Sequence, residues 1–405
     1  MPDLLVSRRF HDCEDGSQHV PAEQTYPQHL VAAISSSIVW SHHARMKNYS
    51  FESVPMSQAN LTLHGPADLV AAVPHLLGFH PWSSLVVVFI ESRDQHVTLT
   101  VRADLPGVTS ASEYLQCWQQ QLEAIRAATD ASHVVLCTFP CRSADDVDAA
   151  VATALQREVL DVIQAVADLA ERQGFFVYDQ LLCWADRWRS LLCTDQSCCP
   201  DDGTPVDLAR SDRIAAEFIA EAVSVQPDRA SFAELLAPVP DDDPQAERFA
   251  ALLQVHPMAA QADAGSVVSA QIRAQQAHEC VETLLAGSEP SPVVALTLTD
   301  VRLRDAVIRM ITHDHDAQQR RQAEQCLINT MKVCPSALRA SVATVAAGLA
   351  WQRGDGATAG HCLDVALTAD SNYSLARLLQ RALRSAVPPA VWVSAVGQTT
   401  MQECL

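Results

Sequence analysis

Lysine is nearly absent from this chain of 405 residues: only Lys47 and Lys332 occur, although Lys and Arg together number 28. A Walker lysine or a Schiff-base lysine would have to be one of these two. Lys47 lies in a stretch without hydrophobic period, and Lys332 has no glycine-rich approach. Neither G-x-x-x-x-G-K-[ST] nor G-x-G-x-x-G occurs, which disfavours P-loop and dinucleotide-binding chemistry. Aromatic residues are also scarce, at 5%, so the core must be built from Leu, Val and Ala. No run approaches about 18 uncharged apolar residues, so no transmembrane helix is expected. The N-terminus has no basic segment followed by a long apolar one. No signal peptide is therefore expected, and the cytoplasm, with its reduced thiols, is the expected address.

Positive charge is short as a whole. The balance of 28 basic against 48 acidic residues gives a net charge of −20. Such a field repels phosphate backbones and anionic lipid, so neither nucleic acid nor a membrane surface is expected as a partner. An unspecified protein or small molecule remains. What the chain does have is apolar content of 48% against 19% charged residues, enough to bury a core, in a length that suggests two or three domains.

Residues 1–56 carry no sustained period and read as a disordered leader, dispensable for folding, with Met56 the expected start. Residues 57–226 read as an α/β domain. Gly65-Pro66 opens a helix that Pro74 should end or kink. Leu85–Ile90 is β-branched and apolar throughout, a strand buried on both faces. Val97, Leu99 and Val101 alternate with Thr98, Thr100 and Arg102, a half-exposed strand that a hairpin would pair with the first. A helix over 111–129, a strand at His133–Phe139 and a helix capped by Ser143 and ended at Gly174 follow. Phe175–Val177, Leu181–Trp184 and Arg187–Leu192 read as further short strands, and a helix near 208–224 closes the domain. Pro and Asp cluster over 227–244, the clearest linker. Residues 245–405 read as all helix. There Gly354, Ala359 and Ala366 are similar to the second helix of a tetratricopeptide repeat. The expected fold class is thus an α/β N-terminal domain, a mixed sheet with flanking helices, followed by an all-α, helical-hairpin, tetratricopeptide-like C-terminal domain.

Two segments could carry chemistry. In the first, Gly78 and His80 lie in a tight loop ahead of the buried strand, and Arg102 and Asp104 share one strand face by the two-residue period. These two either project into a pocket or form an ion pair that anchors the loop. In the second, Asp179 and then Trp188-Arg189-Ser190 lead into a turn holding Cys193, Cys198 and Cys199, with Cys183 near enough to be a fourth thiol. Zinc needs four such ligands held tetrahedrally. The spacing C-x4-C-C departs from paired C-x2-C, so no cofactor is predicted. Zinc, a disulfide and simple packing stay open for this turn. The remaining cysteines, among them Cys117, Cys137, Cys280, Cys326 and Cys362, read as small buried hydrophobes. His313-Asp314-His315-Asp316 reads as a solvated helix end, because neighbours two apart on a helix point different ways.

The blocks Val73–Pro81, Ser84–Val88, Arg102–Pro106, Trp188–Ser190, Cys193–Pro200 and Gly203–Pro205, continued by Gly354–Ala376 and Val387–Pro389, resemble the actinobacterial family called domain of unknown function 4192. The resemblance implies a start near Met56 and carries no catalytic assignment. Two functional readings follow. In one, the chain is a non-catalytic binding or regulatory protein with a pocket in its α/β domain. In the other, it is a hydrolase or transferase with Asp179, Arg189, Arg102 and Asp104 converging at strand ends, where open α/β sheets place their sites. The hairpin Trp188–Pro205 and the loop Leu76–Pro81 are expected to line one pocket. A pocket containing both segments would favour the enzyme, and their separation on opposite faces would favour the binder.

Overall fold

The computed structural model describes residues 52–55, 65–91, 97–105, 111–140, 157–184, 187–206, 211–216, 225–257 and 270–405. One seven-stranded mixed sheet organises the first half. Its strands are β1 (Glu52–Pro55), β2 (Ser84–Glu91), β3 (Val97–Asp104), β4 (Ala131–Phe139), β5 (Phe176–Trp184), β6 (Arg187–Ser190) and β7 (Thr204–Pro205). They lie in the order β1-β3-β2-β4-β5-β6-β7. The β4–β5 pair is parallel and the other pairs are antiparallel.

Because β2 is apolar on both sides, both faces of the sheet need cover. One face, with Leu85, Val87, Phe89 and Val101, packs against Tyr114, Trp118, Leu122 and Ile125 of α2 (Ala111–Ala128) and Ile163, Val166 and Ala170 of α3 (Arg157–Arg172). The other, with Val86, Val88, Cys137, Leu181 and Cys183, packs against Leu69, Val70, Val73 and Leu77 of α1 (Pro66–Leu77). Helix α1 runs past Pro74 and stops at Gly78, whose φ of 78° is the left-handed conformation that glycine adopts without cost. Pro74 removes one backbone donor, but Leu76 and Leu77 beyond it are buried and hold the last turn in place. Gly174 ends α3 as expected, with Phe175 N donating to Ala170 O at 3.0 Å. Ser143 and the start of that helix lie outside the described residues. Of the helix expected over 208–224, residues 211–216 are described and are helical.

Three sequence expectations meet a different structure. The two short strands at 175–184 are a single strand, β5. Its register against β4 shifts between Val134 and Val135, which pair with Val177 and Asp179. Tyr178 is the extra residue of this bulge. It reverses the side-chain parity, putting Val177 on the α2–α3 face and Leu181 on the α1 face, so no single period runs through the strand. The stretch 227–244, expected as a linker, contains α4 (Arg229–Leu236) and is fastened to the helices by Val239 N donating to Lys332 O at 2.9 Å. Finally, Glu52–Pro55, within the expected leader, form the edge strand β1, paired with Leu99–Arg102 of β3.

The second half is helical, as expected: α5 (Pro244–Val255), α6 (Ala270–Ala286), α7 (Pro292–Thr297), α8 (Val301–Asp314), α9 (Ala317–Val333), α10 (Ser336–Arg353), α11 (Gly356–Ala369), α12 (Ser374–Arg384), α13 (Pro389–Gln398) and α14 (Met401–Cys404). Gly354, with φ of 91°, turns α10 into α11, and Ala359 and Ala366 are fully buried there. Among the described residues no helix is long and apolar enough to cross a membrane.

Candidate functional site

The sheet register decides which candidate residues can meet. Arg102 pairs with Val86, Val86 with Cys137, Cys137 with Leu181 and Leu181 with Ser190. Arg102 and Ser190 therefore lie in one transverse row, four inter-strand steps of about 4.8 Å apart, or roughly 19 Å. Arg189, next to Ser190 along β6, projects to the opposite face by strand alternation. The sheet does not bring Arg102 and Asp104 together with Asp179 and Arg189. The convergence of these four at strand ends is thus corrected: they occupy strands on opposite sides of the sheet's centre.

Each group has its own engagement. Arg102 is 3% exposed; its Nε donates to Ser84 Oγ at 2.8 Å and its Nη2 pairs with Asp104. With Leu105 N on Ser83 O at 2.8 Å, the pair anchors the loop that enters β2. Gly78 and Gln226 are joined by Gln226 N donating to Gly78 O at 2.8 Å, and His80 N donates to Gln226 O at 3.1 Å. The His80 ring stacks on Trp82, and burial pushes its pKa below the ordinary histidine value. What the two segments share is core, since Phe79 and Trp188 belong to one apolar cluster on the α1 face.

The cysteine turn is the most constructed of these features. Ser190 Oγ donates to Asp179 Oδ1 at 2.6 Å and accepts Leu192 N and Cys193 N, both at 3.1 Å. Asp179 and Ser190 thus cap the entrance to the turn. Asp195 O then accepts Cys198 N at 3.1 Å and Cys199 N at 2.8 Å. Asp195 Oδ1 accepts Ser197 N at 2.9 Å and Ser197 Oγ at 2.7 Å, which lowers the carboxyl's pKa. On the far side Arg189 Nη1 donates to Asp201 Oδ1 at 3.1 Å, and Arg187 Nη1 to Gly203 O at 2.7 Å. The result brings the sulfurs of Cys193, Cys198 and Cys199 within 4.8 Å of one another. Cys183 does not join them. It is buried in the α1-face cluster, where desolvation first, then Cys137 and Asp179, push its thiol well above the usual value. The single cysteines Cys117, Cys137, Cys280, Cys326 and Cys362 are all buried. His313 contacts Val393 O at 3.1 Å, a helix-packing contact.

Sequence reasoning missed a cavity of about 230 Å³ where the opposite end of β2–β4 meets the helices. Glu91, Thr98 and Asp130 line it from the sheet side, and Trp351, Val387 and Pro388 from the helical side. Thr98 Oγ1 is itself buried, with no hydrogen-bond partner among the described residues. Ala386, also lining it, has φ of 51°, the left-handed residue of a helix end in which Val387 N donates to Ala382 O at 3.0 Å. The only sequence signal for this wall was the Val387-Pro388-Pro389 block, which said nothing about what it faces.

A family model described as a domain of unknown function, DUF4192, matches residues 66–390. No curated protein and no solved structure matches the chain.

Proposed function

We propose that this chain, which belongs to the DUF4192 family, is a binding or regulatory protein rather than a catalyst, and that its ligand sits in the cavity between the sheet end and the helices. The single observation that carries this reading is that the cavity is built jointly. Its floor is sheet and its other wall is helix, so an occupant contacts both halves. The separation of Arg102 and Asp104 from Asp179 and Arg189 supports it further, because a hydrolase or transferase at the strand ends needs those groups together. The tetratricopeptide-like hairpin α10–α11 supplies Trp351 to the wall.

The lining selects a ligand class. Glu91 and Asp130 favour a donor, and the volume falls below the roughly 300–1,000 Å³ of drug-sized pockets. The expected ligand is therefore a small amine of a few heavy atoms. A thermal-shift panel of small primary amines, with matched carboxylic acids as contrast, tests this. An amine at a hundredfold excess over its Kd stabilises by about 2.7 kcal/mol. Glu91→Gln and Asp130→Asn are expected to remove that shift while leaving the free protein's Tm within a degree or two. A panel without effect on the parent, or a shift that survives both substitutions, overturns the reading.

A further inference from the structure

We propose that the turn Cys193–Cys199 is a second, independent site, which binds one thiophilic divalent cation, zinc in the first place, through the thiolates of Cys193, Cys198 and Cys199, with the fourth position left to solvent or a small ligand. Zn–S bonds of about 2.3 Å at tetrahedral angles set sulfurs about 3.8 Å apart. The Cys198 and Cys199 sulfurs lie 3.9 Å apart, already at that spacing. All three fall within 4.8 Å of one another, so closure on an ion needs about an ångström of side-chain motion and no change of backbone. The adjacency of Cys198 and Cys199, which on sequence grounds argues against a shared ion, is overcome here: Asp195 O gathers both of their backbone donors, and their sulfurs lie 3.9 Å apart.

The surroundings fit a bound cation better than an idle turn. Chain reversal needs Gly, Asn or Asp; it does not need three thiols, nor a serine–aspartate cap at one flank and two arginines at the other. Binding exchanges the thiol protons for the ion. Three S–H bonds break, three Zn–S bonds form and three protons pass to solvent, with no change of oxidation state. Among the described residues no fourth His, Cys, Asp or Glu joins the group. A site with three protein ligands is an open one, of the kind that exchanges its fourth ligand, in contrast to the closed four-ligand sites that only stabilise a fold.

The test uses the full chain, reduced and stripped of metal with a chelator, then titrated with cobalt(II) as the optical probe and with zinc in competition. One cobalt per chain is expected, with thiolate-to-metal charge transfer and the visible bands of tetrahedral cobalt, both erased by one equivalent of zinc. Cys198→Ser, at an exposed position, is expected to weaken binding at least tenfold without affecting folding; Cys193→Ser should act likewise. Cys199 is buried, so Cys199→Ser is read only if its circular dichroism matches the parent. Cys183→Ser is expected to leave stoichiometry and affinity unchanged. Absence of stoichiometric binding overturns the proposal. So does binding that survives Cys198→Ser and Cys193→Ser, or a mass two daltons low in the unreduced turn peptide, which marks a disulfide in place of the metal.

Discussion

At the scale of single residues, Gly203 decides whether the cysteine turn holds its shape. Its φ is +76°, and a Cβ there would lie 2.5 Å from the Trp184 ring. Gly203→Ala combines a left-handed penalty of about 1–2 kcal/mol with overpacking against a buried indole, a total of about 2–4 kcal/mol. Gly287→Ala, where nothing lies within 4 Å of the added atom, should stay within about 0.5 kcal/mol. Urea denaturation of the two variants checks the contrast, and equal effects would remove Gly203 from the account. Little of this was legible beforehand. The sequence showed three cysteines and a glycine in a short turn, but not that Asp195 collects two adjacent amides, nor that Cys183 faces the core. Those depend on backbone direction, and spacing alone does not encode it. Arg102 and Asp104 were legible as a same-face pair. What the period left open, a pocket or an anchoring ion pair, is answered by Ser84, whose hydroxyl takes the Nε donor of Arg102 at 2.8 Å.

At the scale of elements, long apolar or strictly alternating segments were readable and irregular ones were not. Strand β2 is apolar enough to be unmistakable. Strand β3 alternates apolar with polar residues, but Thr100 and Arg102 are buried as well, so it is not the half-exposed strand that the alternation suggested. The bulge at Tyr178 broke the alternation of β5 and made one strand look like two. Strand β1 escaped notice because four residues, Glu-Ser-Val-Pro, carry no period and gain their structure from β3. Its position has a consequence. It covers the edge of β3 and lies beside α11 and α12. A chain beginning at Met56 would leave β3 as an open edge, with unpaired amides and carbonyls available to another chain. Contrary to the expectation of a dispensable leader, such a chain should melt roughly 1–2 °C lower, the equivalent of one to two kcal/mol in a cooperative unit of this length. It should also aggregate more readily on heating. Differential scanning calorimetry with light scattering measures both, and an unchanged Tm would show that β1 adds nothing to the sheet.

At the scale of the whole molecule, the two halves share more than a boundary. Ala386, from the helical half, belongs to the core on the α2–α3 face of the sheet, and Ala357 to the core on the α1 face. Phe232 of α4 lies 5.5 Å from Phe79, ring centre to ring centre, and Trp82 Nε1 donates to Pro227 O at 2.9 Å. Composition placed a linker here because Pro and Asp usually bury little. In this stretch they begin helices instead: Asp228 caps α4, and Asp243 with Pro244 starts α5. Joint cores make unfolding cooperative, since neither half can open without exposing apolar surface of the other. One thermal transition is therefore expected. It can be resolved by half: with Trp351→Phe and Trp392→Phe, the tryptophans left among the described residues are Trp82, Trp118, Trp184 and Trp188, all in the α/β half. Fluorescence then follows the sheet, while far-ultraviolet circular dichroism follows mainly the helices. The two curves should coincide within about 2 °C, roughly the Tm change that one to two kcal/mol produces in a cooperative unit of this length. Early loss of one signal, or a first protease cut within residues 227–244 of the native protein, would mean that the halves are independent, and a cavity shared between them would then have no fixed shape to offer a ligand.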